Sequence, residues 1–122
     1  MYEEQAILAN LVAAQANQRP DAELLTFVHI GPDGELLQEV RTYGDLWRNG
    51  SQLAGALRSA GMGEGDNFAL VMQNHPEFVD VMVASSICGT VFVPVDPRTR
   101  GDKLAYMLNF PDCRGAIAVS YT

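Results

Sequence analysis

Two stretches of this chain decide its fold: Gly65-Asp-Asn-Phe-Ala-Leu-Val-Met-Gln-Asn-His-Pro-Glu-Phe78 and Cys88-Gly-Thr-Val-Phe-Val-Pro-Val-Asp-Pro97. Within the first, Phe68–Met72 is an unbroken apolar run, as expected for a strand that is covered on both faces. The asparagine, histidine and proline that follow interrupt this run, and proline suits a first helical position. We therefore predict a strand at Phe68–Met72, a helix from Pro76 to Gly89 and a second strand at Thr90–Val95.

The patterns outside these stretches complete an alternation of helices and strands. They predict a helix at Glu4–Gln18, a β-hairpin at about 24–41 around the turn Gly31–Gly34, a helix from Thr42, a helix after Arg100 that ends at Pro111, and a strand at Gly115–Val119. Thr42 with Asp45, and Thr99 with Asp102, have the spacing of capping boxes. Short strands separated by helices indicate a parallel sheet with right-handed crossovers. The predicted fold is α/β: an N-terminal helix and hairpin, then an αβαβαβ unit at about 42–122.

Composition limits the classes of partner. The 122 residues suffice for one domain, and 48% of them are hydrophobic and 19% charged, as in soluble globular proteins. The net charge of −7 argues against a nucleic-acid interface, which requires clustered Lys and Arg. No apolar stretch reaches the length of about 20 residues that spans a bilayer. Because Glu3 and Glu4 stand where a signal peptide is basic, we expect a cytoplasmic protein.

The two cysteines, Cys88 and Cys113, match neither a disulfide framework nor a zinc motif. Free cysteine is among the most often buried residue types. We expect both to be buried free thiols beside the sheet, and we predict no metal ligands in this sequence.

Several motifs occur in a recognisable order. They are Gly65-Asp66 with Ala69, Asn74 with Pro76-Glu77-Phe78, Gly89 with Val91 and Val93-Pro94, and Leu104 with Tyr106. From about Thr42 onward the sequence thus resembles the amino-terminal segment of the AMP-forming acyl-CoA synthetases, the AMP-dependent ligases of the adenylate-forming superfamily. It departs at Asp96, where that family more often has asparagine, and this departure leaves the subfamily open.

The resemblance implies a two-step reaction. A carboxylate attacks the α-phosphate of ATP, with Mg²⁺, to give an acyl adenylate and pyrophosphate. The thiol of CoA then displaces AMP, and fatty acid metabolism is one setting for this chemistry. The family's phosphate loop, ribose-binding acid and catalytic lysine match nothing in this sequence. We therefore expect residues 1–122 to be a partial N-terminal domain, an inactive scaffold with no catalytic residue or cofactor of its own, in a longer acyl- or aryl-CoA ligase.

Some glycines and arginines are candidates for anion binding. Gly61, Gly63 and Gly65 lie between a helix and the following strand, whereas phosphate loops precede a helix, so we expect a C-cap and turn. Ligands of open parallel sheets bind outside the carboxyl ends of strands, here at residues 73–75, 96–100 and 120–122. There, Arg98 and Arg100 are the candidate cofactor-binding residues, for example for a phosphate of CoA. The alternative is that they pair with Asp96 or Asp102, or pack against a further part of the enzyme.

Histidines and serines have simpler interpretations. His75 is expected to cap or pack at the start of its helix, and His29 to lie on the hairpin surface. Ser85 and Ser86 lack the strand-to-helix elbow of a hydrolase nucleophile, so we expect their hydroxyls to bond to carbonyls one turn back.

Other functions remain open at this point. A peptide-synthetase adenylation domain would share the same scaffold and use a carrier-protein thiol instead of CoA. A self-contained, flavodoxin-like binding module is the alternative from a different class. If later parts of an enzyme normally cover this unit, the 122 residues should self-associate through the apolar helix Phe78–Ile87 and the open strand edges.

Overall fold

The computed structural model describes residues 7–73 and 75–118, which form four helices and five strands. In chain order these are α1 (Leu8–Gln18), β1 (Glu23–Ile30), β2 (Leu36–Thr42), α2 (Tyr43–Ser59), β3 (Asn67–Val71), α3 (Pro76–Cys88), β4 (Val91–Val95), α4 (Gly101–Asn109) and β5 (Cys113–Ala118). Each predicted element is present in the predicted order, so the α/β class is confirmed. Glu4–Ala6 of the first predicted helix and Val119 of the last strand lie outside the described residues.

The predicted hairpin is confirmed as a separate two-stranded antiparallel sheet. Ile30 lies opposite Leu36 at its closed end. The N–H of Gly31 donates to the carbonyl of Glu35 at 2.8 Å and closes the turn. Gly34 has φ +82°, a left-handed conformation that glycine adopts without a steric penalty, so the turn depends on this residue.

The other sheet has the strand order β4-β3-β5, and both pairings are parallel, as predicted. Ala69 of β3 lies opposite Val93 on one side and Ala116 on the other. Because β3 is central, it has a strand neighbour along both edges. Phe68, Ala69 and Leu70 are each no more than 1% exposed, so β3 is covered on both faces, as its continuous apolar run predicted.

The main core lies between β3 and helices α2 and α3. Its buried residues are Ala54, Leu57, Met62, Phe68, Leu70, Met72, Val81 and Ala84. A second cluster, of Val12, Leu46 and Val83, joins α1 to the other two helices. Burying a large aliphatic or aromatic side chain contributes about 1.5–3 kcal/mol relative to leaving it exposed. Most of the buried hydrophobic residues belong to these two clusters.

Helix α3 is not the exposed surface that we expected from its sequence. Val83, at its centre, is 0% exposed, and no apolar residue of α3 is among the exposed large hydrophobic side chains. Its cover comes from α2, which approaches closely at Gly50, where a Cβ would lie 2.5 Å from Cγ1 of Val83. The expected location of a self-association surface on α3 is therefore wrong, because α1 and α2 already bury this helix.

One of the two predicted capping boxes is present. The side chain of Thr42 accepts from the N–H of Asp45, and the carboxylate of Asp45 accepts from the N–H of Thr42, both at 3.0 Å. The box predicted at Thr99 and Asp102 is wrong. Helix α4 begins at Gly101, its N-cap is Arg100, and no side chain caps it. Gly101 has φ +63°, so the chain enters this helix in a conformation that displaces its start from Thr99.

Candidate functional site

Parallel pairing brings the carboxyl ends of β3 and β4 to one edge of the sheet. The residues that follow these two ends line a cavity of about 280 Å³, which we call the carboxyl-edge cavity. Its lining consists of Met72, Gln73, Pro94, Val95, Asp96, Pro97 and Arg98. This edge is where open parallel sheets bind ligands, so the cavity is the candidate site. The third predicted loop, 120–122, lies outside the described residues.

Arg98 lines this cavity and pairs with Asp96. Its Nε and Nη2 donate to the carboxylate at 3.1 and 2.7 Å, and its backbone N–H donates at 2.9 Å. The side-chain and then the backbone hydrogen bonds from Arg98 lower the pKa of Asp96 from 3.8 to about 2. The predicted alternative, pairing with a nearby acid, is confirmed for Arg98. An incoming phosphate would have to compete with Asp96 for this guanidinium.

Arg100 is exposed at the N-cap of α4. Its Nη1 donates to the backbone carbonyls of Pro97 and Thr99 at 2.5 and 3.0 Å, and these bonds fold the side chain back onto the loop before α4. Within residues 7–73 and 75–118 it pairs with neither Asp96 nor Asp102. Its contact with CoA, like that of Arg98, stays a prediction.

The glycine run after α2 is a turn, as predicted. The N–H of Met62 donates to the carbonyl of Leu57, and that of Gly61 to Arg58, both at 3.0 Å. These two bonds, with φ +87° at Gly61, are the Schellman motif that ends many helices. The N–H of Gly63 is held by Asp66 at 2.8 Å. These donors are thus used within the turn, at the strand end opposite the candidate site.

Both histidines line a second cavity, of about 420 Å³, between the hairpin and the start of α3. His75 occupies the N-cap position of α3, but its side chain makes no capping hydrogen bond. It is half-buried at this cavity, so of the two predicted roles the packing role fits its position. His29 is exposed on β1, as predicted.

The two serines of α3 do not bond one turn back, so this prediction is wrong. Ser85 Oγ donates forward to the carbonyl of Thr90 at 2.6 Å and fastens the end of α3 to the start of β4. Ser86 Oγ instead accepts the N–H of Ala9 at 3.0 Å. This bond satisfies one of the unpaired donors at the start of α1. Both hydroxyls therefore join elements rather than bend their own helix.

One polar group was not predicted from the sequence, and we call it the Arg41–Asp80 cluster: Arg41 of β2, Asn49 of α2, and Glu77 and Asp80 of α3. Arg41 Nε lies 3.8 Å from Asp80 Oδ2, and Arg41 Nη2 lies 3.7 Å from Glu77 Oε1. Asn49 donates to Asp80 at 3.4 Å. The four residues line a cavity of about 350 Å³ with Gln52 and Leu53. An aspartate inside the apolar run of α3 was the signal that could have revealed it.

Asp80 is buried to an unusual degree for a carboxylate, with 3% of its surface exposed. Burial raises its pKa above 3.8, although the charge of Arg41 and the bond from Asn49 act in the opposite direction. Oδ1 of Asp80 and Nε of Arg41 are both buried, and neither has a hydrogen-bond partner among the described residues. Burying a charge costs free energy unless the charge is fully paired, so keeping this cluster buried costs folding free energy.

Both cysteines are free thiols, as predicted, although they are half-buried rather than fully buried. Burial, followed by the charge of Asp112, raises the pKa of the Cys113 thiol. The described part of the chain contains no group of three or more His, Cys, Asp and Glu side chains able to hold a metal ion. None of the described helices has the length and apolarity needed to cross a membrane.

Known structures share this architecture. The fatty acid AMP ligase from Legionella pneumophila superposes with a TM-score of 0.83 at 20% identity, over 93% of this chain and 19% of that one. At this identity the likeness shows the fold. It confirms the expected α/β fold.

The sequence relatives include synthases of different kinds. A linear gramicidin synthase of Brevibacillus parabrevis is 29% identical over 98% of this chain, and feruloyl-CoA synthase of an Amycolatopsis species is 37% identical over 55%. The matched parts are 2% and 14% of the length of these relatives. The family described as AMP-binding enzyme matches residues 12–122, nearly the whole chain. The chain therefore belongs to the AMP-binding, adenylate-forming enzymes.

Proposed function

We propose that the protein containing this chain activates a carboxylic acid with ATP and passes the acyl group to a thiol. In the first step the carboxylate oxygen bonds to the α-phosphorus, and pyrophosphate leaves. In the second step the thiol sulfur bonds to the acyl carbon, and AMP leaves. The observation that supports this proposal is the family match across residues 12–122, on a fold shared with a fatty acid AMP ligase.

The role we assign to the described residues is to shape one edge of the site. β3 and β4 present their carboxyl ends together, and the Asp96–Arg98 pair stiffens the segment after β4. When a reacting group is already held in the correct geometry, less orientational freedom is lost on reaching the transition state, and the activation barrier is lower. In this proposal, the chain contributes rigid placement, and no residue within 7–73 or 75–118 is assigned to bond chemistry.

For the acceptor we propose the thiol of CoA, as in an acyl- or aryl-CoA ligase. The match to feruloyl-CoA synthase, at 37% identity, supports this choice. The second candidate is the adenylation segment of a peptide synthetase, which would use a carrier-protein thiol. The match to the linear gramicidin synthase over 98% of the chain favours it.

The test uses the complete gene product that contains this chain. Pyrophosphate exchange into ATP is measured with panels of fatty, aryl and amino acids, and thioester formation is then followed with CoA and with a phosphopantetheinylated carrier protein. We expect acid-dependent exchange and an acyl-CoA product. Exchange followed by acylation of the carrier protein alone would select the second candidate. A folded protein that supports exchange with none of the acids would overturn the proposal.

The 122-residue chain by itself provides a reference for this assay. We expect it to form no acyl adenylate, because placed donors and reacting groups supply most of an acyl-transfer enzyme's acceleration. Exchange above background by this chain would show that the described residues include catalytic groups.

We also propose that the isolated chain self-associates through the hairpin. Val28, Ile30 and Leu36 share one face of it, and the last two are 73% and 72% exposed. Contiguous apolar patches of this kind promote association. Light scattering should show a mass that rises with concentration and is reduced by Leu36→Lys but not by Asn17→Lys, the same charge change on α1. A monodisperse monomer at high concentration would contradict this.

A further inference from the structure

The Arg41–Asp80 cluster joins the hairpin to helix α3, which packs on the other sheet. Arg41 lies near the end of β2, whereas Glu77 and Asp80 lie in the first two turns of α3. A two-stranded hairpin is marginally stable in water without other packing. Its position therefore depends on contacts to the helices, and Arg41 makes the ionic contacts that reach α3.

The start of α3 is also the end of the segment that leaves β3. Gln73 in that segment lines the carboxyl-edge cavity, and its carbonyl accepts the N–H of His75 at 3.0 Å. The carbonyl of His75 in turn accepts the N–H of Phe78 at 3.0 Å. A short series of hydrogen bonds thus leads from the first turn of α3 to the cavity wall.

We propose that Arg41 is a positioning residue, whose ion pairs with Asp80 and Glu77 hold the hairpin on α3 and thereby fix Gln73 at the carboxyl-edge cavity. Its relevance to catalysis rests on the proposed function, but the coupling itself is a property of this chain. The hairpin acts as a brace for the loop after β3.

The charges around Asp80 explain why an arginine is needed. The negative charges of Glu77 in α3 and Asp45 in α2 oppose the ionisation of Asp80. Glu39 of β2 also pairs with Arg41, at 3.1 Å, so Arg41 faces three carboxylates: those of Asp80, Glu77 and Glu39. Asn49 of α2 supplies a neutral donor. Among the described residues Arg41 is the cation that contacts Asp80. Removing it leaves a buried carboxylate without a compensating charge.

The experiment follows the purified 122-residue chain by NMR and needs no substrate, so its outcome is independent of whether the proposed function is correct. In Arg41→Met the pKa of Asp80 should rise further, because Arg41 lowers it in the native chain. Amide exchange in the hairpin should accelerate about tenfold or more. The amide signals of Gln73 and His75 should shift as well.

Arg48→Met is the matched control, because Arg48 pairs with Asp45 at 3.0 Å on the exposed side of α2. It should leave the signals of Gln73 and His75 in place. If Arg41→Met does not fold, Arg41→Lys is used, which keeps the charge but loses the guanidinium fork. It should still displace the Gln73 signal. An unchanged Asp80 pKa in Arg41→Met, or a Gln73 signal that is unmoved in the folded Arg41 variant or moves equally in Arg48→Met, would overturn the proposal.

Discussion

Helices α3 and α4 each follow a parallel strand of the same sheet, yet their packing differs greatly. Helix α3 buries six residues, and α4 buries none. The difference comes from neighbouring helices: α1 and α2 pack against α3. Helix α4 has no such cover among the described residues, and its stacked pair Tyr106–Phe110 is exposed. Both helices follow from the alternation of strand and helix, but only α3 is buried, because two other helices pack against it.

The largest effect should come from matched phenylalanine truncations on the two sides. Phe68 is 1% exposed in the core beside α3. Phe68→Ala should therefore lower the free energy of unfolding by about 3–5 kcal/mol. Phe110 is 77% exposed, so Phe110→Ala should lower the free energy of unfolding by less than about 0.5 kcal/mol. Urea denaturation followed by circular dichroism measures both. Equal losses would remove the contrast between the two sides.

The close contact of α2 with α3 is tested by two glycines of one helix. At Gly50 an added methyl group would lie 2.5 Å from Val83 Cγ1, whereas at Gly55 no atom of the other described residues lies within 4 Å. Gly50→Ala should therefore destabilise by about 1–3 kcal/mol through overpacking. Gly55→Ala should stabilise by about 0.5–1 kcal/mol through helix propensity. The midpoint of thermal unfolding should move in opposite directions, and a gain in both variants would contradict the tight interface.

Helices α2 and α4 also differ in how their first turns are capped. Thr42→Ala removes half of the capping box of α2 and should cost about 1 kcal/mol. Thr99→Ala should change the unfolding free energy little, because Thr99 does not cap α4. Chemical denaturation resolves this difference. A loss at Thr99 equal to that at Thr42 would restore the second capping box that the sequence suggested.

The smallest effect concerns two aspartates, each beside an arginine. The pKa of Asp80 is raised by burial, so its contribution to stability is full below its unfolded pKa near 3.8 and is lost as pH rises through its folded pKa. Asp96 has its pKa lowered to about 2 by Arg98, so its contribution is present above about 4 and is lost as pH falls toward 2. Asp80→Asn and Asp96→Asn should thus change the pH dependence of unfolding with opposite signs. Denaturation midpoints measured between pH 2 and 7 check this, and slopes of the same sign would refute it.

Much of the candidate site could be predicted because its determinants are local. Asp96 and Arg98 are two residues apart, so their pairing needs only the loop that contains them. The parallel strands likewise predicted which edge would carry the cavity. The Arg41–Asp80 cluster could not be located in this way, since its members come from three separate elements.

The sequence alone determined the order of the elements, the first capping box and the glycine turn after α2, because each depends on residues within about one turn of each other. Tertiary structure decided the rest. It buried α3 against α1 and α2 and turned Ser86 toward Ala9, 77 residues away in the chain. Among the described residues it left α4 without a side-chain cap or a covering helix. The physical reason is that periodicity specifies an apolar face, whereas its partner is specified only when distant elements pack together.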